Sequence, residues 1–368
     1  MIYELAKPLL FRLPAETAHR SVHGLLDAVD GTPVADAMAR HYTVDDDRLT
    51  VEAFGQTFPN PVGVAAGFDK NAEIPGALAA LGFGFVEVGG VTAVPQEGNP
   101  RPRMFRLRED EALINRMGLN NDGAAVVGER LAATDAPVPV GVNVAKSEHV
   151  APENAPADYR ETYEQVAEGG PASEARGASP DGNASGGGDF FVVNVSCPNS
   201  QGFEALQNRD SMEAILGELQ DAGAAPLLVK LSPDLPEPAV KDALGLVAEL
   251  DLDGVVATNT TTDRPASLRS PNRAETGGLS GKPIERRATE MVRFVAERTD
   301  APVVGVGGVA TAEDAYRKIR AGASVVQLYT GLVYRGPGIA RDINRGLLDL
   351  LEQDGFDSVA DAIGADLD

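Results

Sequence analysis

Pro302-Val303-Val304-Gly305-Val306-Gly307-Gly308-Val309, then Ala312 to Ala321, then Val325-Val326-Gln327-Leu328-Tyr329-Thr330-Gly331: this stretch carries the pattern that decides the fold. A short valine-rich run leads into a helix-like segment, and a second run follows. Strands buried on both faces of a parallel sheet read in this way. Working outward, the unit recurs. Runs of strand character cover Pro61–Gly67, Phe85–Val91, Pro139–Ala145, Phe190–Ser196, Pro226–Ser232, Gly254–Thr260, Pro302–Val309 and Val325–Gly331. Helical stretches cover Ala72–Leu81, Asp122–Ala133, Ser211–Ala222, Glu237–Leu250, Glu285–Arg298 and Ala312–Ala321, with Gly338–Glu352 after the last run. Eight such units predict an α/β chain folded as a (β/α)8 TIM barrel. A doubly wound open sheet is the alternative, and it requires a reversal of strand order.

Three segments stand outside the repeat. Leu49–Ala53 and Gln56–Pro59 flank Phe54-Gly55 and predict a hairpin closing the barrel bottom. Ala167–Asp189 is polar and rich in glycine, which predicts a disordered surface insertion at 167–189. Residues 1–43 predict a helical extension ahead of a barrel domain spanning 44–368. Two short helices are expected there, Ile2–Leu13 and Ala15–Val29. Their apolar faces are too short to cross a membrane and suit its surface.

Composition narrows the function. Apolar residues make up 43% of 368, so a large core is expected. No run approaches the roughly eighteen apolar residues of a membrane span, and the first residues lack the pattern of a secretory signal. A single cysteine, Cys197, excludes an intrachain disulfide and a multi-cysteine metal cluster. The net charge of −23 argues against nucleic acid as a partner, since phosphates are neutralised by Lys and Arg. Arg outnumbers Lys, and Ala, Gly and Asp are abundant, which points to a salt-rich cytoplasm. His19, His23, His41 and His149 fall outside the strands. His19 and His23 lie four apart without an HExxH pattern, so they read as a surface helix pair, and no metal is expected.

In such barrels the chemistry sits where the strands end. The first run leads into Ala66-Gly67-Phe68-Asp69-Lys70, the second ends at Gly89-Gly90, and the third carries Asn143. The fourth delivers Asn194-Val195-Ser196-Cys197-Pro198-Asn199, with the turn enforced by Pro198. Lys230 ends the fifth, Thr258-Asn259-Thr260 the sixth, Gly307-Gly308 the seventh and Tyr329-Thr330-Gly331 the eighth. A ring of glycines, carboxamides, lysines and hydroxyls is hard to explain as packing. The last two ends are the usual phosphate site of this barrel, and Gly277–Gly281 adds another glycine-rich loop. Carboxamides both donate and accept, which suits a small planar polar ligand. A non-catalytic phosphate-binding barrel remains open at this point.

The motifs Ala65–Lys70, Asn115–Asn120, Asn194–Asn199, Ala257–Thr261, Thr276–Gly281, Val304–Val309 and Gln327–Gly331 stand in the order found in the dihydroorotate dehydrogenases, and the chain resembles that family over roughly residues 49 to 350. The resemblance implies FMN held by Ala66, Gly67, Phe68, Asp69, Lys70, Gly90, Asn143, Asn194, Lys230, Thr258, Gly281, Gly308, Tyr329 and Thr330. It implies dihydroorotate or orotate held by Lys70, Asn115, Arg116, Met117, Gly118, Leu119, Asn194, Asn199, Asn259 and Thr260. A base removes the C5 proton while the C6 hydride goes to flavin N5, and Cys197 stands at the base position. The extension resembles that of the members that reduce a membrane quinone, with His19 and Arg106 at positions associated with the quinone site. That implies peripheral attachment at the cytoplasmic face of the cell membrane. Two residues depart from that branch: Cys197 replaces its usual serine, and Gly90 its usual threonine. Soluble relatives, using fumarate or, with an iron–sulfur partner, NAD, are the alternative. A related flavin reductase acting on RNA uridines fits poorly with the charge. From the composition we predict that unfolding midpoints rise with KCl concentration; equal stability at low and high salt would contradict the salt-rich reading.

Overall fold

The computed structural model describes residues 2–169, 187–196 and 204–367. Cys197, Asn199 and positions 170–186 of the expected insertion lie outside them. Eight parallel strands close a barrel in chain order. They are β1 (Val62–Val64), β2 (Phe85–Val91), β3 (Val140–Ala145), β4 (Phe190–Asn194), β5 (Leu227–Leu231), β6 (Gly254–Ala257), β7 (Val303–Val306) and β8 (Ala323–Leu328). Nearly every strand position is buried, as two-sided packing requires.

Around the barrel run α4 (Pro75–Ala79), α5 (Ala124–Ala133), α6 (Ala155–Ala167), α7 (Arg209–Asp221), α8 (Glu237–Glu249), α9 (Glu285–Ala296), α10 (Ala312–Arg320) and, after β8, α11 (Thr330–Arg335) and α12 (Ile339–Asp354). Local rules hold well in α10. Thr311 and Asp314 form a capping box, acidic residues fill the first turn and basic residues the last. The sequence reading missed α6. Its inward face is Ala155, Asp158, Tyr159, Thr162 and Val166, so helical spacing is present but its apolar signature is not. The eighth run also ends earlier than expected, because helix α11 takes over at Thr330.

The predicted hairpin is present. Val51–Ala53 pairs antiparallel with Gln56–Phe58. Phe54 and Gly55 both take positive φ, 37° and 71°, as a two-residue hairpin turn demands. Its aromatic rings plug the barrel bottom: Phe54 lies 5.2 Å from Phe190 and Phe58 lies 5.1 Å from Phe85. Phe85 and Phe190 fit inside only because their cross-strand partners are Gly63 and Gly141. A Cβ on either glycine would come within 2.4 or 2.1 Å of the facing ring.

Two further layers cover the top. Met104–Leu107, Ala112–Asn115 and Gly278–Gly281 form a three-stranded antiparallel sheet that the sequence reading missed. Each strand has four residues, and the third is half glycine, so propensity gave no signal. Residues 2–43 hold three helices rather than the expected two: α1 (Ile2–Leu10), α2 (Ala15–Val29) and α3 (Pro33–Tyr42). The third starts at a Thr32 cap followed by Pro33, a start signal that was overlooked. The Tyr3 hydroxyl donates to the Val333 carbonyl at 2.5 Å, and Phe11 meets Tyr334 edge-on at 5.5 Å. Arg106 donates to the carbonyls of Leu10, at 3.2 Å, and Leu13, while Arg108 donates to that of Phe11.

The two ends of the expected insertion, Ala167 and Asp189, are built into the fold. Helix α6 reaches Ala167, and Asp189 is anchored, accepting from Val140 N at 2.7 Å and from Gln56 Nε2 at 3.0 Å through its carbonyl. Overpacking predicts that Gly141→Ala destabilises the barrel by about 1–3 kcal/mol, read as a lower urea midpoint. An unchanged midpoint would mean that Phe190 has room to move.

Candidate active site

All eight strand ends open into one cleft beneath the top sheet. Ala66, Gly67 and Lys70 line it after β1, Gly90 from β2, Asn143 from β3, Asn194 from β4 and Lys230 from β5. Thr258, Asn259 and Thr260 follow β6, Gly308 follows β7, and Tyr329 and Thr330 follow β8. Asn115, Met117, Gly118, Leu119 and Gly281 come down from the top sheet and its loops. The expected residues therefore converge, with five exceptions among those described.

Asp69 turns away from the cleft. Its fully buried carboxylate accepts from the backbone N–H groups of Asn71 (3.2 Å), Glu73 (3.0 Å) and Ile74 (2.9 Å). It shapes the turn that presents Lys70 and shortens α4. Phe68 packs edge-on against His19 at 5.0 Å and against Tyr329 at 5.5 Å, as a wall behind the lining. Arg116 points outward, donating to Glu275 at 2.9 Å and resting over Phe105 at 4.5 Å. Arg106 and His19 belong to the junction of the helical layer with the barrel top.

The surface reading of His19 and His23 is corrected. Both rings face the barrel. His23 Nε2 lies 3.7 Å from Asp69 and 3.6 Å from Glu73. These three residues bring metal-ligand atoms within 4.8 Å of one another, but the Asp69 oxygens are already occupied by backbone N–H groups, so the cluster reads as a clasp on the turn. Burial, with the charges of Lys70 and His23, holds the His19 imidazole well below the usual histidine range, so it is neutral near pH 7.

The floor of the cleft is a polar network the sequence reading did not foresee. Glu87, fully buried on β2, lies 3.1 Å from Lys230 Nζ, and accepts from Asn143 at 2.7 Å and from Gln327 at 2.6 Å. Lys230 was expected to face a cofactor; it does line the cleft, but as half of an ion pair. The available signal was a charge inside an apolar strand run, and an amide at Gln327 inside another. Asn194 donates to Asn143 Oδ1 at 3.1 Å, and Asn259 to Asn194 Oδ1 at 3.2 Å. The Asn194 carbonyl accepts from Tyr159 of α6 at 2.7 Å. Lys70 stands apart from this network, its Nζ donating to the Gly67 carbonyl, and burial pushes its pKa down to about 8.

At the far end, Gly307 and Gly308 take positive φ of 121° and 77°, and a Cβ on Gly308 would strike Glu285 at 2.4 Å. Ser280 and Thr330 hydroxyls meet at 2.8 Å beside them. This cradle of glycines and hydroxyls suits a phosphate. Buried Gln327 Oε1 and Asn120 Oδ1 find no hydrogen-bond partner among the described residues. Both residues line the cleft, so it offers acceptors to a ligand bearing N–H groups. A phosphorylated, planar, N–H-bearing ligand such as FMN matches this donor and acceptor set.

The family model described as dihydroorotate dehydrogenase matches residues 48–351. A dihydroorotate dehydrogenase (quinone) of Haloarcula marismortui is 76% identical over 365 residues, covering 99% of both chains. One of Halobacterium salinarum is 61% identical over the full length of both. The crystal structure of DHODH in complex with ferulenol from Eimeria tenella superposes with a TM-score of 0.84 at 36% identity, covering 98% of this chain and 99% of that one.

Proposed function

Because the chain belongs to the dihydroorotate dehydrogenase family, we infer that its cleft oxidises (S)-dihydroorotate to orotate in de novo pyrimidine biosynthesis, with a quinone as electron acceptor. The observation that carries this reading is the meeting, in one cleft, of a carboxamide cluster, a free-standing lysine and a phosphate cradle. Gly308, Thr330 and Gly281 would hold the phosphate of FMN, which would supply the acceptor for the C6 hydride. The chain's own residues do the rest. Asn115, Asn194 and Asn259 match the donors and acceptors around the pyrimidine ring. Lys70 sets a positive charge where the carboxylate or the flavin carries a negative one. Cys197, outside the described residues, is the base for the C5 proton; a thiol ionises near 8.5 when unperturbed, so it needs less help than an alcohol.

The helical layer supports peripheral attachment to a membrane, which we propose is at the cytoplasmic face. No described helix is long and apolar enough to cross a membrane. Leu5 and Leu9, four apart on α1, are 83% and 67% exposed, and Leu25 of α2 is 66% exposed. Such side chains are rarely left in water in this density without a use. His19, on the inward face of α2, and Arg106, against the end of α1, are our candidates for the quinone approach.

The reading is tested by assaying dihydroorotate oxidation with a quinone, fumarate and NAD side by side. Quinone should be reduced fastest. In the same series Cys197→Ala should keep FMN yet lose flavin reduction by dihydroorotate, and fast reduction in that variant would remove Cys197 as base. A colourless protein would favour the non-catalytic barrel. The pH dependence follows from Lys70. Its ammonium form exists below about pH 8 and is lost above it, well short of an ordinary lysine. Orotate affinity should therefore fall as pH rises through about 8, and Lys70→Met should flatten that profile.

A further inference from the structure

Glu87 lies beneath the cleft and touches no ligand position, yet three residues that do line the cleft are bonded to it. An ionised carboxylate can only accept hydrogen bonds. Its Oε1 therefore draws the amide nitrogen of Asn143 downward, at 2.7 Å, and leaves Asn143 Oδ1 facing Asn194. That oxygen accepts from Asn194 Nδ2 at 3.1 Å. Asn194 Oδ1 then accepts from Asn259 Nδ2 at 3.2 Å, and Asn259 Oδ1 from the Thr260 N–H at 2.8 Å. Each carboxamide alone could sit either way round. Chained to a fixed acceptor, all three point one way. Oε1 also lies 3.1 Å from Lys230 Nζ, in a region where both side chains are buried and charges interact strongly.

We propose that Glu87 is a positioning residue of the cleft: it fixes the orientation of the Asn143, Asn194 and Asn259 carboxamides, and by offsetting the charge of Lys230 it lowers the reduction potential of the bound flavin. The proposal rests on the FMN reading above. The interaction is indirect, through Lys230 and Asn143, and spans four strands.

The test is a redox titration of the purified, flavin-loaded protein, followed by orotate binding. Glu87→Gln preserves size, adds a competing donor and leaves Lys230 uncompensated. The flavin potential should shift to a more positive value, and orotate should bind about tenfold more weakly, the loss expected when a site's hydrogen-bond orientation is no longer enforced. Adding Lys230→Met to that variant removes both charges together and should return the potential most of the way to the wild-type value while the weaker orotate binding persists. A purely structural role for Glu87 predicts no such reversal. Should Glu87→Gln fail to hold flavin, the double variant carries the measurement. A yellow wild type with an unshifted Glu87→Gln potential, or a folded double variant that holds no flavin, overturns the role of Glu87 alone. A wild type without flavin overturns the FMN reading beneath it.

Discussion

The interior of a closed eight-stranded barrel has to be filled, and here a carboxylate fills its middle. Glu87 on β2 is tied to Asn143 on β3, Lys230 on β5 and Gln327 on β8. Below this level the barrel is closed by aromatic rings, and above it lies the cleft. A buried carboxylate left without donors is strongly destabilising, so these four strands are held in one relative height. The packing underneath obeys the same economy of space. Phe85 and Phe190 reach the axis because Gly63 and Gly141 yield the facing positions. Polar middle and aromatic base together leave the upper end of the barrel, where the cleft lies, free to hold a ligand.

That arrangement explains the division of labour among the site residues. Strand ends give short, rigid side chains such as Asn143 and Asn194, whose positions are set by the sheet. Loops after β1 and β7 contribute Lys70 and the glycine cradle. The β1 loop is braced by Asp69, whose carboxylate, though burial opposes its ionisation, is held below the usual range by His23 and backbone hydrogen bonds. Charge at the site is thus split. Lys230 is neutralised from below, whereas Lys70, among the described residues, donates to the Gly67 carbonyl and makes no ion pair, leaving its ammonium to answer a ligand.

The barrel was legible because its strands are short apolar runs with turn residues at both ends, and burial on both faces leaves little room for ambiguity. The hairpin was legible for a local reason, two alternating segments about Phe54-Gly55. Helix α6 was not, since on its inward face Asp158 meets Ser147 N, Tyr159 meets the Asn194 carbonyl, and Thr162 bonds back to the Asp158 carbonyl. Hydrogen bonds there replace the leucines that periodicity looks for. The top sheet escaped because its third strand, Gly278–Gly281, pairs with Ala112–Asn115 far away in sequence. Site residues at strand ends were readable from position in the repeat. Those whose role depends on a partner were misjudged: Asp69 braces a turn, Arg116 faces Glu275, and Glu87 was passed over because its lysine lies 143 residues away.

Helix α2 carries two clasps on its inward face, one in its first turn and one near its middle. Glu16 meets Arg101 and Arg103, each at 3.0 Å, and Arg103 in turn donates to the carbonyls of Glu97 and Asn99 in the loop that braces Arg116 and Met117. About two turns further on, His23 meets the Asp69 turn that bears Lys70. One helix therefore grips the two loops that flank the cleft. Their free energies cannot be separate quantities: whatever strengthens the seating of α2 also orders the loops, and a ligand that orders the loops must tighten the seating by the same amount. Seating of the helix and occupancy of the cleft are in this sense two readings of one equilibrium.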